Sequence, residues 1–125
     1  MRIYKEFVFE AAHYMPGAPE TSPYRRIHGH SYRVRVTLQG SPDETSGQIT
    51  PFDEVERVLK GVRGELDHKF LNDDVEGLGN PTMEHIAKWL WSRLHNELPG
   101  LAEIGIFRDT CREGCIYNGP NGSAG

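Results

Sequence analysis

Apolar and polar residues alternate from Ile3 to Tyr14, with Phe7, Phe9, Ala11 and His13 on one parity and Glu6 and Glu10 on the other. Successive side chains of a strand point to opposite faces, so this run reads as a half-buried strand. A loop with Pro16, Gly17, Pro19 and Pro23 follows. In a second alternating run His30, Tyr32, Val34, Val36 and Leu38 are in phase, and Arg33, Arg35 and Thr37 take the other face. The stretch from Gly40 to Gly47, rich in Ser, Pro and Asp, reads as a loop. Thr50 is then placed as N-cap, with Pro51 at the first helical position and Asp53 completing a box-like cap. The amphipathic helix behind it carries Phe52, Val55, Val58, Leu59, Val62 and Leu66. Asp67 to Asn80 reads as a loop. Thr82 starts a second helix with Ile86, Leu90, Trp91, Leu94 and Leu98, stopped by Pro99 and Gly100. Ile104 to Phe107 and Cys115 to Tyr117 are short strands around a turn at Glu113 and Gly114.

The order strand, strand, helix, helix, strand, strand predicts an α+β layer, an antiparallel sheet with helices on one face. A chain of 125 residues is too short to give two halves a useful core each, so one domain over 1–118 is expected, with a disordered tail over 119–125. No internal repeat is visible.

Charge and composition narrow the partners. Lys and Arg number 14 against 18 Asp and Glu, which argues against a nucleic-acid binder, since these carry a basic face. No apolar run approaches the ~20 residues that cross a bilayer. Charged Arg2 and Lys5 stand where a signal segment would be apolar, so a cytoplasmic protein with reduced thiols is expected. Cys111 and Cys115 are read as buried thiols.

The candidate chemistry lies in the histidines. His28 and His30 point to one face of the second strand, and Gly29 between them leaves the backbone open to close approach. The inward stripe of the first strand ends at His13, and that of the second begins at His28 and His30. Antiparallel pairing would bring these ends together. Three neutral imidazoles suit zinc and leave a fourth position open, as in catalytic sites. The alternative is three hydrogen-bonded core or loop-mouth histidines. Asp67-His68 is either an oriented proton-transfer pair or a helix-end feature. His85 and His95 are read as surface residues.

The motifs Phe9-Glu10-Ala11-Ala12-His13, His28-Gly29-His30-Ser31-Tyr32, Leu66-Asp67-His68-Lys69-Phe70-Leu71-Asn72, Asn80-Pro81-Thr82-Met83-Glu84 and Thr110-Cys111-Arg112-Glu113-Gly114-Cys115-Ile116-Tyr117 occur in order. Together they resemble the 6-pyruvoyl-tetrahydropterin and 6-carboxytetrahydropterin synthases, with the bacterial carboxy-forming branch nearest. The resemblance implies a T-fold: a four-stranded antiparallel sheet with two helices on one face, assembled as a homohexamer (a dimer of trimers) with active sites between subunits. It implies zinc on His13, His28 and His30, and a small-molecule pterin, dihydroneopterin triphosphate, as substrate of a carbon–oxygen or carbon–carbon lyase in pterin or queuosine biosynthesis. No nucleic acid and no membrane take part.

The family's catalytic Asp-His pair falls on Asp67 and His68. Its cysteine is absent, and Tyr24 stands at that place. A phenol holds its proton more firmly than a thiol, with reference pKa values of about 10 and about 8.5. Glu20, in the same loop, is the other candidate base, or else a solvated carboxylate. Asp109 replaces the glutamate that anchors the ring, and Glu84 and Thr82 line the pocket. Pro51 stands where relatives often have aspartate, and the helix start accounts for it. Lys5, Arg25, Arg26, Arg33 and Arg35 are candidate cations for the triphosphate, the last two alternatively a solvated sheet face. Two further readings follow from the missing cysteine: a pterin-binding protein without the synthase reaction, and a metal-stabilised structural module.

Overall fold

The computed structural model describes residues 1–122. Strand β1 (Arg2–His13) pairs antiparallel with β2 (His28–Gln39) along its whole length, setting Phe9 against Tyr32 and His13 against His28. On the far side of β2 runs β4 (Leu101–Arg108), with Val34 opposite Ile106 and Val36 opposite Ile104. Strand β5 (Glu113–Tyr117) closes that edge antiparallel to β4. The turn between them falls at 109–112, earlier than expected, with Arg112 in the left-handed region at φ 56°.

The expected four-stranded antiparallel sheet with two helices needs correction. A two-residue strand β3 (Lys69–Phe70) lies parallel to β1, giving five strands in the order β3-β1-β2-β4-β5. A short helix α2 (Leu71–Asp74) follows it. Periodicity could not find either, because two residues show no alternation and four show no helical stripe. What holds them is tertiary: the His68 N–H donates to the Glu10 carbonyl at 2.6 Å, and Leu71, Val75 and Leu78 are buried.

The long helices follow the expected stripes except at Phe52, which is exposed, and Trp91, which is only partly buried. In α1 (Phe52–Leu66) Val55, Val58, Leu59, Val62 and Leu66 are buried, as 3.6-residue spacing requires. Its start is shifted: Pro51 is the N-cap and no side chain caps the helix, so the Thr50–Asp53 box is not formed. In α3 (Met83–Leu94) the cap forms as expected, Thr82 Oγ1 accepting from the His85 N–H at 3.1 Å. Leu98 is buried in the turn beyond this helix, not in it. Both helices cover the sheet face that presents Phe9, Tyr32, Val34, Val36, Ile104 and Ile106.

The other sheet face is open, with Tyr4, Val8 and Ile116 exposed. Of the expected tail, Gly119 is buried against the Trp91 indole, and residues 123–125 lie outside the described residues. Cys111 is exposed and Cys115 half-buried, so only the second approaches the expected buried thiol. No described helix is long and apolar enough to cross a membrane.

Two glycines separate backbone need from chance. Gly100 has φ +88°, and a Cβ there would stand 2.7 Å from the Gln39 carbonyl oxygen, whereas a Cβ on Gly64 in α1 meets nothing within 4 Å. Gly64→Ala should therefore stabilise by about 0.5–1 kcal/mol. Gly100→Ala should destabilise by at least about 1–2 kcal/mol. Thermal unfolding of both variants checks the pair, and equal shifts would contradict it.

Candidate active site

The register of β1 and β2 carries His13, His28 and His30 to one end of the core face, where each offers a ring nitrogen within 4.8 Å of the other two. His13 is 1% exposed. Its Nδ1–H donates to the Pro81 carbonyl at 3.0 Å, and His28 Nδ1–H donates to the Arg26 carbonyl at 2.7 Å. A carbonyl only accepts, so these contacts set the tautomer of both neutral rings and leave both Nε2 atoms with lone pairs. Those two atoms face each other at 3.0 Å. Two acceptors so placed repel unless a cation, a proton or a metal ion, is shared between them.

The electrostatics favour the metal. Burial, with His28, His30 and Arg108 nearby, pulls the His13 pKa down to about 4 against the opposing Pro81 bond. His30 is also lowered, first by burial and then by Arg108 and His28. Tetrahedral zinc at about 2.0 Å from each nitrogen needs ligand atoms about 3.3 Å apart, within the span of this cluster. Carbonyl-fixed tautomers are the usual outer support of metal-bound imidazoles. The donor set therefore fits a metal ion.

Around the trio lie other expected residues. The Tyr24 ring centroid is 6.1 Å from that of His28, and its side chain is exposed. Thr82 follows Pro81 directly and Glu84 lies in the first turn of α3, so the carbonyl that holds His13 also places the start of α3 beside it. Thr82 Oγ1 is engaged in the helix cap, and the charge of exposed Glu84 helps raise the Cys115 thiol, after burial. Glu20 is exposed, and no bond among the described residues joins it to the histidines.

Asp67 and His68 form their pair elsewhere. Asp67 accepts the Glu10 N–H on Oδ1 at 2.9 Å, while Oδ2 lies 2.9 Å from His68 Nδ1 and 3.2 Å from Arg63. His68 has φ 60°, a strained backbone for a side-chain-bearing residue, and its side chain is 78% exposed. A cleft of about 650 Å³ beside it is lined by Glu10, Gly29, His30, Ser31 and Phe70, but not by His13 or His28. Within one chain, then, this cleft joins His68 to His30 alone of the trio, and Asp67 does not line it.

Asp109 lies on the open sheet face. Both its oxygens accept from Arg33, Nε and Nη2 each at 3.0 Å, and Glu6 accepts from Arg33 and Arg35 at 2.8 and 2.9 Å. Arg33 and Arg35 are thus ion-paired and stacked on Phe107 and Tyr4, not free cations. Sequence reasoning missed Arg108, whose Nη1 is 3.3 Å from His30 Nε2. Its signal was a charged residue in phase with inward Ile104 and Ile106.

Fold and site together define an α+β protein with a three-imidazole centre at the open end of its sheet. The chain belongs to the 6-pyruvoyl tetrahydropterin synthase family, whose model matches residues 2–120. It is 40% identical over 124 residues to a 6-carboxy-5,6,7,8-tetrahydropterin synthase of Synechocystis sp., covering 94% of this chain and 93% of that one. It is 34% identical over 99 residues to a dihydroneopterin monophosphate aldolase of Pyrococcus furiosus, covering 79% of each. In fold it is similar to the Caenorhabditis elegans 6-pyruvoyl tetrahydropterin synthase, with a TM-score of 0.86 at 23% identity over 95% of both chains.

The Asp67–His68 pair yields two expectations. The Asp67 carboxyl lies below its ordinary range, chiefly through the Glu10 amide and then His68. A carboxyl lowered on folding stabilises above its unfolded pKa and loses that contribution as pH falls through the folded value. Asp67→Asn should therefore lower the thermal midpoint at pH 7, with the gap to the wild type closing below about pH 4. A gap independent of pH would contradict this. His68→Gly should leave the midpoint unchanged or raised, because glycine relieves about 1–2 kcal/mol of left-handed strain. A fall of many degrees would show that the imidazole is structural.

Proposed function

We propose that this protein is a zinc-dependent lyase of pterin biosynthesis that binds dihydroneopterin triphosphate, or a related pterin, and cleaves its side chain. The observation that carries the reading is the convergence of three ring nitrogens, two with tautomers fixed by the Pro81 and Arg26 carbonyls. Zinc held by His13, His28 and His30 would supply Lewis-acid polarisation of a substrate oxygen at its open position.

The protein's own groups do the proton work. His68 gives its Nδ1 proton to the Asp67 carboxylate as a hydrogen bond, which leaves Nε2 bare on an exposed ring. That atom is the proton acceptor of the proposal. Because one chain brings His68 into a cleft with His30 but not with His13 or His28, the complete site is assembled between copies in a homohexamer, a dimer of trimers. Asp109 anchors the amino-pyrimidine edge once Arg33, whose fork offers the same paired donors, gives way. Thr82 and Glu84 border the ring.

Tyr24, exposed at the place of the family's cysteine, favours a second reading: a protein that binds the pterin without the synthase reaction. Glu20 is the other candidate base of the first. The similarity to an aldolase acting on a dihydroneopterin monophosphate supports a family pocket that admits more than one phosphorylation state and bond cleavage.

Metal-loaded protein incubated with dihydroneopterin triphosphate, followed by mass analysis, decides between them. The first reading expects a cleaved pterin whose formation stops on chelation and in His68→Ala. Unchanged substrate with micromolar binding gives the second, and absence of binding contradicts both. Arg33→Met should tighten pterin binding by freeing Asp109; weaker binding would remove Asp109 from the ring site.

A further inference from the structure

Arg108 continues the inward stripe of β4 past Ile104 and Ile106, so its side chain enters the covered face beside the histidines. That side chain is 17% exposed. Nη2 meets Glu113 Oε1 at 2.8 Å, the partner placed opposite by the β4–β5 register. Nη1 lies 3.3 Å from His30 Nε2. Nε is buried with no hydrogen-bond partner, the one side-chain nitrogen or oxygen so placed among the described residues.

A guanidinium keeps its charge at any ordinary pH and brings five N–H donors, so a buried one needs several acceptors. Here it has one carboxylate and one imidazole nitrogen, with the Tyr32 hydroxyl as a further polar neighbour, and the nitrogen is not available once the trio holds a metal. If His30 binds through Nε2, its lone pair is spent. If it binds through Nδ1, the neutral ring carries its proton on Nε2, and donor faces donor. Either way Nη1 loses its imidazole acceptor, and Nε already has none.

The charge count agrees with the donor count. Three neutral imidazoles bring no negative charge to a divalent ion, so the ion and the guanidinium stand together with only Glu113, itself 49% exposed, to offset them. Buried donors without acceptors and cations without counter-charge both call for an anion.

We propose that Arg108 is an anion-binding residue of this site, which together with the bound metal receives an oxyanion of the ligand, a carboxylate or a phosphate. Glu113 aims the guanidinium from behind and competes with that oxyanion for it. This rests on the reading of the three histidines as a metal centre, and it adds the part of the ligand that the centre selects. A pterin ring is uncharged, so the group recognised here belongs to its side chain or its product.

The test uses full-length protein loaded with cobalt, whose visible absorption reports ligands at the open position. Metal content is measured first for the wild type, Arg108→Gln, Arg108→Lys and Glu113→Gln. Each is then titrated with inorganic phosphate and with acetate. The wild-type spectrum should shift with anion, and Arg108→Gln should weaken that response about tenfold or more at equal metal content. Arg108→Lys should recover part of it, and Glu113→Gln should tighten it, which a purely structural Arg108 would not produce.

A larger response to phosphate assigns a phosphate, a larger one to acetate a carboxylate, and equal responses support an oxyanion of either kind. Equal anion affinity in all four proteins at equal metal content, or a wild-type spectrum that ignores both anions, overturns the proposal while leaving the metal centre intact. Failure of the wild type to take up cobalt overturns the centre and the proposal together. Should Arg108→Gln not fold, the opposite shifts expected of Arg108→Lys and Glu113→Gln carry the same decision.

Discussion

The antiparallel register that sets His13 opposite His28 and Ala11 opposite His30 is the constraint on which both core and site depend. Strand side chains alternate with period two, so a slip by one residue would turn the whole apolar set of one strand to the open face. The Phe9 and Tyr32 rings, stacked with centroids 4.8 Å apart in the same register, oppose that slip. The force that chooses the register is therefore apolar burial, and the histidines are placed by it because they end the same stripes. Chemistry at the sheet end is set by packing several residues away.

Burial also sets the state of the three histidines. A desolvated imidazole disfavours its charged form, and the His13 pKa of about 4 follows from its position at the end of the core. The carbonyls of Pro81 and Arg26 then choose which nitrogen keeps the proton. Pro81 stands immediately before the cap of α3, so the helix start and the His13 tautomer are parts of one local structure. Tyr32, with its hydroxyl pKa pushed up to about 12 mainly by burial, adds no charge there at neutral pH.

Much of this was legible from residue patterns. The parity of Phe9, Ala11 and His13, and of His30 through Leu38, predicts both long strands and the convergence of the trio, since period two needs no tertiary information. Thr82 announced its helix because its hydroxyl caps it locally. Strand β3 and α2 were not legible, being held by the Glu10 backbone and by burial of Leu71 and Val75. The Thr50 cap failed because proline took the cap position and no side chain closed the turn. Asp67 and His68 were readable as a pair, but not the placement of His68 in a cleft with His30 and away from His13 and His28, which depends on the side of β1 against which they fold. The choice between free cations and a solvated sheet face for Arg33 and Arg35 was not legible, because Glu6 and Asp109, distant in sequence, could not be set beside them. Arg108 carried a visible signal, a charge on an inward stripe.

The central claim is that three imidazoles, one from β1 and two from β2, hold one metal ion. X-ray absorption at the zinc edge of the zinc-loaded protein tests it directly. Three imidazole nitrogens and one further light atom at about 2.0–2.1 Å are expected. A sulfur ligand near about 2.3 Å, or zinc lost on dialysis while the fold persists, would contradict it.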